Sequence, residues 1–133
     1  MAALLLAATA PRVRAQEAAP VDLDALPGPP APKVIAIDPG HGGREIGAAY
    51  SARRGRAAVL EKEVNLQIAL LLAEELAVGG YVPVLTRTDD SEVNLPPLDR
   101  NEDGRIDVDD DLQARVDIAN ESGALLLISI HNN

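Results

Sequence analysis

The chain of 133 residues has no cysteine and almost no aromatic side chains, since Tyr50 and Tyr81 are its only two. Without cysteine it has no disulfides, no thiolate zinc site and no cysteine nucleophile. The scarcity of rings for base stacking and the net charge of -9 both argue against a nucleic-acid partner. A hydrophobic fraction of 47% nevertheless indicates a folded domain with its own core.

The sequence also lacks an apolar run long enough to cross a bilayer, so no integral membrane segment is expected in the mature chain. Its longest run, residues 2–10, is followed by the small residue Ala15 and resembles the apolar part of a signal peptide. Because no positive charge precedes the run, we expect residues 1–15 to be an incomplete signal peptide. The alternative is a frayed, alanine-rich N-terminus. Five prolines in residues 16–32 prevent both helix and central strand and predict a linker.

Short apolar runs and helical patterns alternate from residue 33 onward. Strands are predicted at residues 33–38, 81–86 and 124–130, and helices at residues 61–78 and 110–122. This alternation predicts an α/β fold with a mostly parallel sheet flanked by helices, in which the first and third strands are buried. Pro83 argues against a central position for the second strand, and the apolar positions of the second helix are Leu112, Val116, Ile118 and Ala119. Because a domain normally covers its last buried strand, we expect residues 33–133 to be the N-terminal part of a domain, truncated after its third strand.

The two histidines of the chain, His41 and His131, each follow the carboxyl end of a predicted strand, and Glu61 begins the first predicted helix. In open α/β sheets these positions share one edge, where ligands bind. Two imidazoles and one carboxylate form a ligand set for catalytic zinc, which leaves the fourth position for water. The alternative is that each residue is ordinary: a surface histidine, or a glutamate that favours the helix dipole.

The residues around these three resemble the zinc-dependent N-acetylmuramoyl-L-alanine amidases. Four motifs occur in that family's order, at residues 37–43 (IDPGHGG), 60–66, 85–87, and 115–120 with 128–133. The resemblance implies an exported enzyme that hydrolyses the amide between N-acetylmuramic acid and L-alanine in peptidoglycan. It would be extracellular, periplasmic or cell-wall associated. It further implies that His41, Glu61 and His131 are the zinc ligands.

The resemblance also implies roles for neighbouring residues. Asn65 lies one helical turn after Glu61 and would support the metal ligands from behind. Gly40, Gly42 and Gly43 fit a tight turn that lets substrate or metal approach the backbone. Members of this family use a further glutamate as general base, well beyond the third motif. We therefore expect this glutamate beyond Asn133, and a fragment or truncated gene product without appreciable activity of its own.

Negative charge is concentrated in residues 89–111, where ten acidic residues and two arginines give -8 of the total of -9. Within this segment, residues 99–110 fit a twelve-residue calcium loop and resemble the dockerin-type loops. The expected calcium ligands are Asp99, Asn101, Asp103, the backbone carbonyl of Arg105, and Asp110. Gly104 would make the sharp turn, and Ile106 would pack inward. The alternative is an acidic surface loop that binds no ion.

Two other functions remain open at this point. One is a different exported zinc peptidase or amidase with the same sheet-edge geometry. The other is a non-catalytic or truncated exported module that binds calcium and associates with the cell wall. A glutamate about one strand–helix unit downstream separates them, because only an enzyme requires the general base.

Overall fold

The computed structural model describes residues 30–51 and 58–132. The predicted signal peptide, and the predicted linker except for its last three residues, lie outside the described residues. Among the described residues no helix is long and apolar enough to cross a membrane.

Strands and helices alternate in the order that the sequence predicts. In the described residues these elements are β1 (Val34–Pro39), β2 (Ala49–Tyr50), β3 (Val59–Leu60), α1 (Glu61–Val78), β4 (Val82–Leu85), α2 (Val108–Glu121) and β5 (Leu126–Ile130). The strands β4, β1 and β5 form a parallel sheet in that spatial order. The helix α1 packs on β1 and β4, and α2 contacts β1. The α/β class with a parallel sheet flanked by helices is therefore confirmed.

The central strand and the edge strands differ in burial. All six residues of β1 are buried, as the sequence predicts, and β1 has a neighbouring strand on each side. Pro83 lies on the edge strand β4, where a missing N–H costs no ladder hydrogen bond. The predicted burial of the third strand is wrong in the described part of the chain, since Leu126 of β5 is 55% exposed. The reason is its place in the sheet: β5 is an edge strand with β1 as its described neighbour.

One face of α1 connects the core to the edge of the sheet. Glu61, Asn65, Ala69 and Ala73 recur every four residues and are all buried. The stripe is polar in its first two turns and consists of alanine further along, where the small side chain lets the helix approach the sheet. There Ala69 and Ala73 pack with Ile37 of β1 to form the buried core.

The helix α2 begins two residues before its predicted start, because Asp107 caps it. The Asp107 side chain accepts a hydrogen bond from the Asp109 N–H, and the Asp110 side chain accepts one from the Asp107 N–H. The predicted apolar positions Leu112 and Val116 are 54% and 42% exposed. Of the predicted apolar positions Ala119 is buried, and the rest of the buried face of α2 consists of Asp110, Ala114 and Arg115. This face can be buried because Asp110 and Arg115 have hydrogen-bond partners. A hydropathy pattern does not show such partners.

A short antiparallel ribbon precedes α1 and has no counterpart in the sequence prediction. Ala49 pairs with Leu60, and Tyr50 pairs with Val59. Strands of two residues are too short to show the alternation on which strand prediction depends. The ribbon matters because it leads the chain directly into Glu61, the first residue of α1.

Candidate metal centre

His41, Glu61 and His131 meet at the carboxyl edge of the sheet. The Gly40 N–H donates to the Ile130 carbonyl at 3.0 Å, so the two histidine-bearing segments remain paired where β1 and β5 end. Glu61 Oε2 lies 3.3 Å from His41 Nε2, and Glu61 Oε1 lies 3.3 Å from His131 Nδ1. One ligand atom from each of the three residues lies within 4.8 Å of the others. Topology therefore brings together three residues that are far apart in the sequence.

Each histidine nitrogen lies 3.3 Å from a different oxygen of Glu61, and the three ligand atoms lie within 4.8 Å of one another. Zinc bonds of about 2.0–2.1 Å place neighbouring ligand atoms of a tetrahedron about 3.3–3.4 Å apart. A charge-assisted hydrogen bond would be shorter, about 2.7–2.9 Å. The two rings meet edge to face, with an interplanar angle of 84° and centroids 4.8 Å apart, so they converge without stacking. Two imidazoles and one carboxylate that converge in this way fit a zinc ion by the chemistry of their donor atoms.

Glu61 is held as a carboxylate anion. Its Oε2 accepts a hydrogen bond from the Ala48 N–H at 2.8 Å, and its Oε1 accepts one from the Asn132 N–H at 3.0 Å. These backbone donors, with the Ala48 N–H first, outweigh burial and lower the pKa of Glu61 from 4.5 to about 2. The side chain is thus ionised at neutral pH, as a metal ligand must be.

Asn65 is fully buried behind Glu61. Its Nδ2 donates to the Gly40 carbonyl at 3.2 Å and lies 3.5 Å from Glu61 Oε1. Its Oδ1 is the one buried side-chain polar atom without a hydrogen-bond partner among the described residues. This position agrees with the supporting role that the sequence predicts for Asn65, and the role itself stays a prediction.

Glycines leave room for the three side chains. A Cβ at Gly40 would lie 2.4 Å from the His131 ring, so only glycine allows the ring to rest against this backbone. Sequence reasoning missed Gly47, which has a φ of +66° and whose Cβ would lie 2.6 Å from His41 Cδ2 and 2.7 Å from Glu61 Oε2. The predicted Gly42 and Gly43 have positive φ and face the backbone of residues 91–92. They shape the turn and do not face the three side chains.

Two buried arginines hold the backbone that carries His41, and sequence reasoning assigned them no role. Arg87 donates to the carbonyls of Pro39, Gly40 and Lys62 at 2.8–3.1 Å. Arg115 donates to the Pro39 carbonyl at 3.1 Å and the His41 carbonyl at 3.0 Å. A signal was available for Arg87, because it follows β4 at the same edge of the sheet as the histidines.

Asp38, the fifth residue of β1, completes this buried network. Its carboxylate accepts hydrogen bonds from Thr86 Oγ1, Arg115 Nη1 and Ser129 Oγ at 2.7–2.9 Å. Burial raises the pKa of Asp38, but the Thr86 hydrogen bond and the Arg115 charge outweigh it, so the pKa is lowered overall. The Asp38 carboxylate can be buried on the central strand because each of these three residues, from three different segments, supplies a hydrogen-bond donor.

The residues predicted to bind calcium do not converge in the way that the two histidines and Glu61 do. Asp99 accepts hydrogen bonds from the Asp103 and Gly104 N–H groups, and Gly104 turns the loop with a φ of +84°. Asp110 is fully buried and accepts hydrogen bonds from the N–H groups of Arg100, Asn101 and Asp107. Within residues 30–51 and 58–132, the carboxylates of the loop form no cluster comparable to that of the two histidines and Glu61.

Ile106 does not pack inward as predicted. Its side chain is 58% exposed, because the loop closes through its own backbone N–H groups and leaves no apolar interior for this residue. The helix α2 begins at Val108, inside the segment that was predicted to bind calcium.

Comparison with known proteins identifies the family. Residues 35–133 match the Amidase_3 family, described as N-acetylmuramoyl-L-alanine amidase. The germination-specific N-acetylmuramoyl-L-alanine amidase of Bacillus subtilis (strain 168) is 37% identical over 101 residues, which make up 76% of this chain and 39% of that protein. The amidase LytC of the same strain is 35% identical over 108 residues, 81% of this chain and 17% of that protein.

A solved structure supports the same conclusion. The CwlD amidase from Clostridioides difficile, solved in complex with the GerS lipoprotein, is 36% identical and superposes with a TM-score of 0.61. The match covers 76% of this chain and 48% of that chain, so this chain spans less than half the length of the proteins it matches. The matched range includes β1 except for Val34, the whole of α1 and β5, and the three residues His41, Glu61 and His131. The chain therefore belongs to the Amidase_3 family of N-acetylmuramoyl-L-alanine amidases.

Proposed function

We propose that the protein hydrolyses the amide between N-acetylmuramic acid and L-alanine in peptidoglycan, with zinc as its cofactor. We further propose that it is exported and acts outside the cell, in the periplasm or at the cell wall. The observation that carries the proposal is the meeting of two imidazoles and one ionised carboxylate with 3.3 Å spacings. Membership of the amidase family supports the choice of substrate.

In this proposal His41, Glu61 and His131 hold the zinc ion. When bound, zinc supplies a Lewis acid that activates water near neutral pH and polarises the carbonyl of the amide. Glu61 provides the anionic ligand, and the N–H groups of Ala48 and Asn132 fix the orientation of its carboxylate. The two imidazoles bind the ion without cancelling its charge.

A groove beside Glu61 offers room for the substrate. It has a volume of about 390 Å³ and is lined by Ala48, Ala49, Tyr50, Val59, Glu61, Val64 and Asn132. Its walls are mostly apolar, and Glu61 brings the metal centre to one side of it. We propose that the scissile amide approaches the centre along this groove. No described residue is assigned to the general base, and the location of that glutamate beyond Asn133 stays a prediction.

Metal analysis and an activity assay test the proposal together. The full-length gene product is purified as wild type, His41→Ala and His131→Ala. Zinc content is then measured, and the release of stem peptides from purified peptidoglycan is assayed. We expect about one zinc per wild-type chain, loss of zinc in both variants, and loss of amide hydrolysis. Unchanged zinc content in both variants would overturn the assignment of the ligands.

The same assay separates the rival functions. A wild-type protein that binds zinc and cleaves a different bond in peptidoglycan or peptides would be another exported zinc peptidase or amidase. A full-length protein that binds peptidoglycan without cleaving it would be a non-catalytic wall-associated module.

We also propose that residues 99–110 bind one structural calcium ion through Asp99, Asn101, Asp103, the Arg105 carbonyl and Asp110. The support is the spacing of oxygen donors in the sequence and the left-handed turn at Gly104. Isothermal titration with calcium tests it on the wild type and on Asp103→Ala. Binding that is absent from the wild type, or equal in both proteins, would identify the segment as a loop that binds no ion.

A further inference from the structure

His41 adopts a backbone conformation that residues other than glycine rarely adopt. Its φ is +62°, in the left-handed region, where the Cβ is crowded by the backbone. Such a conformation persists only when surrounding contacts hold it. The neighbouring glycines adopt positive φ freely, so His41 is the residue of this turn that needs support.

Arg115 supplies that support from α2. Its Nη2 donates to the His41 carbonyl at 3.0 Å, and its Nη1 donates to the Pro39 carbonyl at 3.1 Å. The two contacts therefore span the turn between the end of β1 and the histidine. Arg87 contacts the carbonyls of Pro39 and Gly40. Of the hydrogen bonds found in the described residues, the one to the His41 carbonyl comes from Arg115.

The guanidinium of Arg115 is itself fixed on two sides. Asp38 Oδ1 lies 2.7 Å from its Nη1, and Asp111 Oδ2 lies 2.9 Å from its Nε and 2.8 Å from its Nη2. The side chain is 6% exposed, so these contacts are largely shielded from water. A buried, planar and doubly paired guanidinium has little freedom to move. The guanidinium group of Arg115 is thus a rigid connection from α2 to the turn that carries His41.

We propose that Arg115 is a positioning residue, which holds His41 in its left-handed conformation and so sets the affinity of the centre for zinc. This inference rests on the proposed zinc centre, and Arg115 acts through His41 without contacting the ion. Lysine cannot replace it, because a single ammonium cannot reach both carbonyls and both carboxylates in one plane. Residues that orient a metal ligand typically change metal affinity about 10- to 100-fold when they are altered.

The test measures zinc affinity by competition with a chelator of known affinity, on the full chain in calcium-free buffer. Arg115→Ala is expected to bind zinc about 10- to 100-fold more weakly than the wild type. Arg115→Lys and Asp111→Asn are expected to lie between the two proteins. The visible absorption spectrum of the cobalt-substituted protein should change in Arg115→Ala, because the geometry of the ligands changes. Millimolar guanidinium should restore part of the affinity of Arg115→Ala by filling the vacated site.

Arg100→Ala is the matched control. Arg100 also makes an ion pair with α2, through Asp117 at 3.0 Å, but it does not contact the turn that carries His41. Its zinc affinity and cobalt spectrum should equal those of the wild type. Thermal melts of the metal-free proteins show which variants are folded at the assay temperature.

Each outcome is decisive. If the wild type binds no zinc, the proposed centre itself is wrong. If the wild type binds zinc and folded Arg115→Ala binds it equally well, this inference alone is overturned. If Arg115→Ala does not fold, Arg115→Lys and Asp111→Asn decide: wild-type affinity in both overturns the inference, and weaker binding with an altered cobalt spectrum supports it.

Discussion

The metal edge, formed by residues 38–41, Glu61 and residues 129–132, and the acidic loop, formed by residues 99–107, both present carboxylates, but the hydrogen-bond partners of those carboxylates differ in sequence distance. At the metal edge the partners are distant in sequence: Asp38 and Arg115 are 77 residues apart, and Glu61 and Asn132 are 71 apart. In the acidic loop Asp99 accepts a hydrogen bond from Gly104, five residues away, and Asp103 accepts one from Arg105, two residues away.

This difference determines what each region depends on. Local hydrogen bonds such as those of Asp99 form wherever the loop can turn, and they need little from the rest of the protein. The contacts of Asp38 and Glu61 exist only when β1, α1, α2 and β5 are assembled. The metal edge is therefore coupled to global folding, whereas the acidic loop is a local structure.

The largest expected effect is at Glu61. A carboxylate at the metal edge is expected to bind the ion, whereas a carboxylate elsewhere on the same helix is not. Glu61→Gln removes the anionic ligand and should weaken zinc binding by more than about 100-fold, beyond what outer partners produce. Glu63→Gln is the matched control, because Glu63 lies in the same helical turn, is exposed and faces about 200° away. Chelator competition measures both, and equal affinities would show that Glu61 is not a ligand.

The second prediction concerns Asp38 and acid. Its pKa is lowered in the folded protein from the ordinary value of 3.8, so its stabilising contribution is present above pH 3.8 and is lost as the pH falls below it. Asp38→Asn should cost about 3–5 kcal/mol at neutral pH, because it leaves Arg115 buried without this partner.

Urea unfolding of the metal-free proteins at pH 3 and pH 7 tests this prediction. The difference between wild type and Asp38→Asn should shrink at the lower pH. A difference that stays constant would mean that the charge of Asp38 contributes nothing to folding.

The third prediction separates backbone strain from damage to the metal edge. Gly47→Ala and Gly80→Ala both place a side chain at positive φ, +66° and +81°, at a backbone cost of about 1–2 kcal/mol. A Cβ at Gly80 meets nothing within 4 Å, whereas one at Gly47 collides with His41 and Glu61. Gly47→Ala alone should therefore lose zinc affinity, by about 10-fold or more. Equal zinc affinities in the two variants would argue against the crowded geometry at Gly47.

The smallest expected effect belongs to the acidic loop. Calcium at ten times its Kd should stabilise the wild type by about 1.4 kcal/mol, because it binds the native state alone. Thermal melts in chelator and in millimolar calcium measure this shift, and Asp103→Ala should show less of it. If calcium moves neither melt, the loop is closed by its own backbone hydrogen bonds and needs no ion.

The sequence alone determined the α/β order and the residues of the metal edge. A buried strand appears in a sequence as a short apolar run, and α1 appears as a helical pattern that ends at Gly79–Gly80. The bounds of β1 and α1 could therefore be predicted almost to the residue. Parallel strands share one carboxyl edge, so His41, Glu61 and His131 could be expected together before any distance was measured.

Only the tertiary structure decided how that edge is held. Arg87 and Arg115 lie within motifs of the family, but the sequence shows neither their burial nor their partners, which are carbonyls of a turn that is 47 to 76 residues away. The same holds for Gly47, whose missing side chain matters because His41 and Glu61 fold against it. Patterns along a chain report local preference and burial, whereas partners of buried polar groups are set by contacts between distant segments.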